Sequence, residues 1–163
     1  MIRELEARDF NKVCEIVNIN WQRVYNGYIN PLLLNEEGCV KRLDSLIKDF
    51  KSHRFFEYVW EENGEAAAMI SIGDTEDNDK KGAFEVWRLY VHPDFQGNGI
   101  GGKLIAFAEE QARLKRYPEI VIWAFRENHN AVKFYQKQGY EPDKEKFLDE
   151  PYFAWGVRLI KRL

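Results

Sequence analysis

Four glycines within six residues mark the part of this sequence where side-chain types and spacing point most clearly to chemistry. They lie in residues 97–102, between an apolar stretch that ends at Val91 and an amphipathic stretch that begins near Ile100. Glycine accepts positive φ and, lacking a Cβ, lets a ligand lie directly against the backbone amides. The first amides of a helix also lack internal partners and carry partial positive charge. The run is therefore predicted to bind a pyrophosphate.

This glycine run fits two phosphate-binding patterns. Gly97-x-Gly99-x-x-Gly102 matches the dinucleotide fingerprint, which normally closes the first strand of a βαβ unit. Here five residues separate the strand from the first glycine, and a predicted hairpin precedes that strand. The other pattern, Gln96-x-x-Gly99-x-Gly101 directly after an apolar strand, fits its position better.

Two segments resemble motifs of the GNAT superfamily of N-acetyltransferases. Gln96-x-x-Gly99-x-Gly101 is similar to motif A, through which members bind the pyrophosphate of acetyl-CoA. Residues 128–140 are similar to motif B, Asn-x-x-Ala-x-x-aromatic-Tyr-x-x-x-Gly-aromatic, and every fixed position is filled. The motifs occur in the expected order, separated by one predicted helix and one predicted strand. The resemblance covers almost the whole chain.

The predicted elements follow the order of that fold. Periodicity and turn signals predict strands at residues 2–6, 55–61, 65–72, 83–91, 119–125, 141–147 and 153–159. They predict helices at residues 10–24, 35–51 and 100–116 and across motif B, with Asp9 capping the first. The order β-α-α-β-β-β-α-β-α-β-β matches that fold, so the resemblance implies an α/β (α+β) fold whose mixed sheet of about seven strands splays between the fourth and fifth. We expect residues 1–163 to form a single N-acetyltransferase domain.

The resemblance places acetyl-CoA in the splay. Its pyrophosphate would bind the glycine-rich amides, and its pantetheine arm would pair with free backbone of the fourth strand, as peptides pair with sheet edges. Asn128 resembles the family residue that contacts the cofactor, and a helix N-cap is its alternative role. The expected cofactor-binding residues are Leu89, Tyr90, Val91, Gln96, Gly97, Asn98, Gly99, Ile100, Gly101, Gly102 and Asn128.

Acyl transfer from a thioester to an amine needs a neutral amine, a donor for the developing oxyanion and a proton for the departing thiolate. Tyr135 occupies the motif B position of the family's common hydroxyl donor, so it is the candidate general acid, with simple packing as the alternative. Glu85 occupies the position of the catalytic glutamate in histone-acetylating relatives. It is the candidate general base, with an ion pair or an amine anchor as alternatives. Strict alternation predicts that Glu85 shares a face with Trp87, Leu89 and Val91.

The acceptor side is predicted from aromatic residues near the first helix. The stretch Trp21-x-x-x-Tyr25-x-Gly27-Tyr28 resembles a signature of a bacterial subgroup of these enzymes, so Trp21, Tyr25 and Tyr28 are the candidate substrate-binding residues. Aromatic rings attract ammonium groups, although rings at helical spacing also commonly fill cores. The acidic residues at 76, 77 and 79 are interpreted as a solvated turn, with a rim that attracts cationic substrates as the alternative.

Composition narrows the class of protein. A net charge of -3 argues against nucleic acid as a partner, and no apolar stretch approaches the ~20 residues that cross a bilayer. Cys14 and Cys39 lack metal-ligand spacing and lie outside both motifs, so we expect buried free thiols, no metal and no acyl-enzyme. A cytoplasmic monomer or homodimer without membrane association is expected.

The sequence thus predicts an acetyl-CoA-dependent N-acetyltransferase. The acetyl group would move directly to a primary amine of a polyamine, an amino acid or a peptide or protein. The alternative from another class is a CoA-binding sensor of the same fold that does not turn over. Transfer to a hydroxyl, or of a longer acyl chain, is a third interpretation that pocket depth would decide.

Overall fold

The computed structural model of the protein describes all residues, 1–163, and contains seven strands and four α-helices. The strands are β1 (Ile2–Glu4), β2 (Phe56–Glu62), β3 (Glu65–Asp74), β4 (Phe84–Val91), β5 (Glu119–Phe125), β6 (Glu141–Leu148) and β7 (Ala154–Arg162). The helices are α1 (Phe10–Val24), α2 (Glu36–Ser52), α3 (Ile100–Leu114) and α4 (His129–Lys137). The predicted element order is confirmed, with ends shifted by about three residues or fewer.

The strands form one mixed sheet in the order β1-β2-β3-β4-β5-β7-β6. Neighbours are antiparallel except β4 and β5, which are parallel. The mixed sheet of the predicted fold class is therefore confirmed. The apolar run of β5 suits its central place, because a strand paired on both edges and covered on both faces contacts little water.

Two hydrophobic cores hold helices against opposite faces of the sheet. On one face, Leu104 and Ala108 of α3 pack in a cluster that includes Phe84 and Ile122. On the other face, the side chains of α1 and α2 pack against β2 and β3 in a second cluster of Leu5, Val13, Val17, Leu46, Val59, Ala66 and Met69. None of the four helices combines the length and the apolar content needed to cross a bilayer.

A β-bulge interrupts β4 at Trp87. The register with β3 pairs Ser71 with Arg88 and Ile72 with Val86, so Trp87 has no partner of its own. A bulge inserts one extra residue on one strand, which bends that strand and shifts the alternation of its side chains. The alternation that the sequence predicts for β4 therefore holds only up to the bulge.

The bulge changes which side chains share a face with Glu85. Val86 belongs to the core under α3, and beyond the bulge Leu89 packs against the same core. Tyr90 instead packs against the core under α1 and α2. Glu85 consequently lies on the face of Arg88 and Tyr90, and its predicted grouping with Leu89 and Val91 was wrong.

The two central strands, β4 and β5, separate at the bulge. β4 and β5 pair only from Phe84 with Ile120 to Val86 with Ile122. Beyond that point β4 stays paired with β3, while β5 stays paired with β7 up to Phe125. The predicted splay between the fourth and fifth strands is confirmed.

Two local predictions near the N-terminus need correction. The Asp9 carboxylate does not cap α1, because it accepts hydrogen bonds from the Glu6 amide (2.9 Å) and from the Arg3 guanidinium. Both cysteines are free thiols, but only Cys14 is buried. Cys39 is half-buried, since its Sγ lies at the surface of α2 and accepts from Arg42 (3.3 Å).

Candidate active site

The glycine run forms a concave stretch of backbone at the start of α3. Gly97 has φ +81° and Gly99 has φ +76°, both in the left-handed region that favours glycine. Gly99 is the N-cap of α3, so the amides that follow it have no partners within the helix. Alternating left-handed and right-handed residues turn successive N–H groups towards one side, which creates an anion-binding concavity.

The first turn of α3 lies close to α4. A Cβ added at Gly101 would lie 3.2 Å from the ring of Phe134, which is tighter than ordinary van der Waals contact. The glycine at this position therefore permits motif B to sit against the glycine run. Asn128 caps α4, accepting from the Ala131 amide at 3.2 Å, and also lines the cavity described below.

The splay leaves backbone groups of β4 free for a ligand. The His92 amide donates to the Ala67 carbonyl (2.9 Å). This bond shows which residues of β4 turn their backbone groups towards β3, because hydrogen-bonded and non-hydrogen-bonded pairs alternate along two antiparallel strands. By alternation, Tyr90 bonds to Met69, while Leu89 and Val91 turn their N–H and C=O groups towards β5. Two of the three predicted residues thus present backbone to the gap, and Tyr90 presents only its side chain.

Asn20 of α1 ties the gap to the glycine run, and the sequence analysis missed it. Its Nδ2 donates to the Ile16 and Val91 carbonyls, at 2.9 and 3.0 Å. The Gln96 side chain donates to the same Val91 carbonyl at 3.0 Å. A signal was available, because Asn20 is a polar residue on the apolar stripe of α1. Of the gap-facing groups, the Leu89 N–H and C=O and the Val91 N–H therefore remain for a ligand.

A cavity of about 500 Å³ connects these features. Its volume falls in the range of small-molecule sites. The predicted residues that line it are Tyr25, Leu89, Tyr90, Val91, Gln96, Gly97, Gly99, Ile100, Gly101, Gly102, Asn128 and Tyr135. The lining residues that the sequence analysis did not select are Asn20, Val24, Val86, Trp87, Arg88, Trp123, Ala124, Asn130, Ala131 and Phe134. The predicted residues Glu85, Asn98, Trp21 and Tyr28 do not line it.

Tyr135 faces this cavity from α4. Burial raises the pKa of its hydroxyl well above the usual range, and the nearby Tyr90 raises it further. Tyr90 in turn accepts a hydrogen bond from the indole of Trp21 (3.0 Å). The Tyr135 hydroxyl therefore stays protonated at every physiological pH, which a proton donor requires.

Glu85 is buried two residues before Trp87, the bulge residue. Its Oε2 lies 2.6 Å from the Thr75 hydroxyl, which donates to it. Burial raises the pKa of Glu85 to about 7, and the carboxylates of Asp77 and Glu76 raise it, whereas the Thr75 hydrogen bond and Arg158 lower it. A carboxyl that titrates near neutrality is suited to proton transfer.

A buried arginine anchors the acidic loop beside Glu85. Arg158 of β7, only 2% exposed, donates to Asp77 and to Asp79, both at 2.8 Å, and to Asp143 at 2.6 Å. Its guanidinium holds the pKa of Asp79 well below the usual range. The interpretation as a solvated turn holds for Glu76 and Asp79, whose side chains are 67% and 51% exposed. It missed the buried arginine on a distant strand that anchors the loop.

Removal of this anchor is expected to destabilise the protein. In Arg158→Met, three carboxylates lose their shared cation, so the thermal midpoint should fall by roughly 5–10 °C. Arg162→Met, an exposed position on the same strand, should change the midpoint by less than about 2 °C. Thermal unfolding by circular dichroism measures both, and equal midpoints would show that Arg158 does not hold the loop.

The residues fit acetyl-CoA. The concave amides at Gly97 and Gly99 suit a pyrophosphate, and the free groups of Leu89 and Val91 suit the amides of a pantetheine arm. The tight approach of Gly101 to Phe134 means that a side chain at Gly101 would crowd this ring. No group of three or more His, Cys, Asp and Glu side chains is arranged to hold a metal ion.

Comparisons with known proteins agree with this geometry. Residues 12–140 match the acetyltransferase (GNAT) family. An uncharacterized N-acetyltransferase of Methanocaldococcus jannaschii is 32% identical over 108 residues, covering 65% of this chain and 45% of that protein. A probable N-acetyltransferase of Mycobacterium tuberculosis is 27% identical over 161 residues, covering 96% of this chain and 88% of that protein.

The same fold occurs in a solved structure that contains a ligand. An acetyltransferase of Salmonella typhimurium, crystallised with acetyl-CoA, superposes with a TM-score of 0.73 at 20% identity and covers 99% of this chain and 92% of that one. The fold and the site define an acyltransferase that uses acetyl-CoA. The chain belongs to the acetyltransferase (GNAT) family.

Proposed function

We propose that the protein moves the acetyl group of acetyl-CoA directly to a primary amine. The observation that carries this proposal is the cavity that joins the glycine-rich amides, the free edge of β4 and the Tyr135 hydroxyl. When bound, acetyl-CoA supplies an activated acetyl group on sulfur. The amides following Gly97 and Gly99 hold its phosphates, and Leu89 and Val91 align the arm along the gap.

Tyr135 and Glu85 take the two proton-transfer roles. The Tyr135 hydroxyl donates a proton to the departing sulfur, since burial keeps it protonated. Glu85 accepts the proton of the incoming amine through water, because it does not line the cavity itself. Neither cysteine lines the cavity, which supports direct transfer rather than an acyl-enzyme.

A thiol-release screen tests the proposal. The protein with acetyl-CoA is offered polyamines, amino acids, aminoglycosides and short peptides, and free CoA thiol is measured. Release that depends on one class of amine supports the proposed reaction. Saturable acetyl-CoA binding with no release for any class would indicate the CoA-binding sensor instead.

Glu85→Gln is expected to flatten the acidic limb of the pH–rate profile. The wild-type kcat/KM should rise with pH through about 7, where Glu85 loses its proton, and the variant should lose that rise and be about 10²-fold slower at pH 8. Glu110→Gln, an exposed position on α3, is the control. An unchanged limb in Glu85→Gln would place the base elsewhere.

The same variant gives a readout without turnover. The folded protein holds the Glu85 proton up to about pH 7, whereas the unfolded chain loses it near the ordinary value of 4.5. The contribution of this group to stability therefore falls as the pH rises from about 4.5 to 7. Glu85→Gln should raise the thermal midpoint more at pH 8 than at pH 5.

A further inference from the structure

Two buried polar atoms without hydrogen-bond partners belong to residues next to the cavity lining, since Tyr28 contacts Tyr25 and Glu127 directly precedes Asn128. They are the Tyr28 hydroxyl and the Glu127 Oε2. Burial raises the pKa of the Tyr28 hydroxyl, and the negative charge of the Glu127 carboxylate raises this pKa further. Buried polar atoms are nearly always paired, so two unpaired neighbours point to a polar group that is received there.

A cluster of aromatic rings on the side of the first helix includes the ring of Tyr28. We call the rings of Trp21, Tyr25, Tyr28, Phe125 and Tyr152 the aromatic enclosure. The Phe125 ring centroid lies 4.9 Å from that of Tyr25, 6.2 Å from that of Tyr28 and 5.9 Å from that of Tyr152. Ring faces attract cations, and they do so most strongly where water is excluded.

The aromatic enclosure opens onto the proposed acyl-transfer cavity. Tyr25 belongs to both, because it lines the cavity and contacts Phe125 and Tyr28. Ala124, the residue before Phe125, also lines the cavity. Tyr25 and Ala124 therefore form the boundary between the cavity and the aromatic enclosure.

The negative charge of Glu127 is only partly balanced by the protein. Arg126 lies 3.4 Å from Oε1, the other carboxylate oxygen, and both side chains are more than a third exposed. Arg126 also pairs with Glu145 (3.2 Å) and stacks over the Trp155 ring (4.9 Å). The other oxygen, Oε2, has no cation of its own.

We propose that Glu127, Tyr28 and the aromatic enclosure form a second ammonium subsite, and that the acceptor is an amine carrying a further positive charge. One amine would react at the gap, while the other ammonium donates to Glu127 Oε2 and to the Tyr28 hydroxyl and rests against the rings. An ammonium has three donors and no acceptor, which matches two unpaired oxygens that can accept. This inference rests on the proposed function, since it assigns the acceptor class of the same site.

The test compares spermidine with hexylamine, which has a primary amine and an apolar chain but no second charge. The wild-type kcat/KM should be at least tenfold higher for spermidine. Glu127→Gln should lower the spermidine value about tenfold and change the hexylamine value less than twofold, and Tyr28→Phe should also lower the spermidine value about tenfold. Glu145→Gln is the matched control, because it also removes a carboxylate that pairs with Arg126 but none that faces Tyr28.

Calorimetric titration of spermidine into the complex with CoA provides a readout that needs no turnover. Tenfold weaker binding to Glu127→Gln than to wild type, with no thiol release from any amine, would uphold the subsite and refute the proposed function. Release from both amines at equal efficiency, unchanged in Glu127→Gln, would refute the subsite and uphold the proposed function. Equal losses of spermidine kcat/KM in Glu127→Gln and Glu145→Gln would also refute the subsite, since long-range charge alone would then explain the effect.

Discussion

Gly99→Glu is expected to abolish the stabilisation that acetyl-CoA gives to the protein. At 100-fold excess over its dissociation constant, a ligand stabilises the folded state by about 2.7 kcal/mol, which corresponds to roughly 5–10 °C in a chain of this size. In the variant, a carboxylate would stand at the N-cap of α3, against the amides that are proposed to hold the phosphates. The midpoint should then shift by less than about 1 °C on addition of acetyl-CoA, as measured by differential scanning fluorimetry.

Backbone strain must be separated from the loss of binding. Gly64, in the turn between β2 and β3, also has positive φ (+85°), and nothing lies within 4 Å of an added Cβ at either position. Gly64→Glu therefore imposes a similar strain at a residue that does not line the cavity. It should lower the midpoint of the free protein but keep the full shift with acetyl-CoA. A normal shift of the midpoint in Gly99→Glu would show that the phosphates do not bind at the glycine run.

The second large effect is expected at Tyr135. Tyr135→Phe keeps the ring that packs against Phe134 and removes only the hydroxyl that faces the cavity. A positioned proton donor contributes about 10²-fold or more to rate, so kcat should fall by about that factor while the affinity for CoA changes less than twofold. Stopped-time thiol release gives kcat, and titration calorimetry gives the affinity.

A neighbouring tyrosine supplies the control for this experiment. Tyr140 lies in the same core, with its ring centroid 6.3 Å from that of Tyr135, but it does not line the cavity. Tyr140→Phe should leave kcat within about twofold of wild type. If Tyr135→Phe behaves in the same way, the Tyr135 hydroxyl serves packing alone and the proton comes from another source.

Local sequence was enough to predict the elements and the glycine run, because both depend on neighbours in the chain. The start of α3 at Ile100 follows from the glycines before it, and the start of α4 follows from the capping of Asn128. The face of Glu85 could not be predicted in this way. It depends on the register between β3 and β4, and the extra residue at Trp87 has no signature in β4 itself.

Several residues that the sequence analysis missed contact the site from a distant part of the chain. Arg158 anchors a loop that lies about 80 residues earlier in sequence. Phe125 gave a signal only as the last residue of an apolar strand, and Glu127 gave none. Their roles arise from proximity after folding, which spacing along one chain does not encode.

The bulge at Trp87 determines where the groove between β4 and β5 begins. The gap between β4 and β5 opens at the point where β4 has one residue more than its antiparallel neighbour β3. Side chains along that stretch can therefore vary while the opening persists. We expect a one-residue deletion at the bulge to let β4 and β5 continue pairing, which would close the groove. Natural variants should therefore tolerate amino-acid substitutions at this point but not a change in the length of β4.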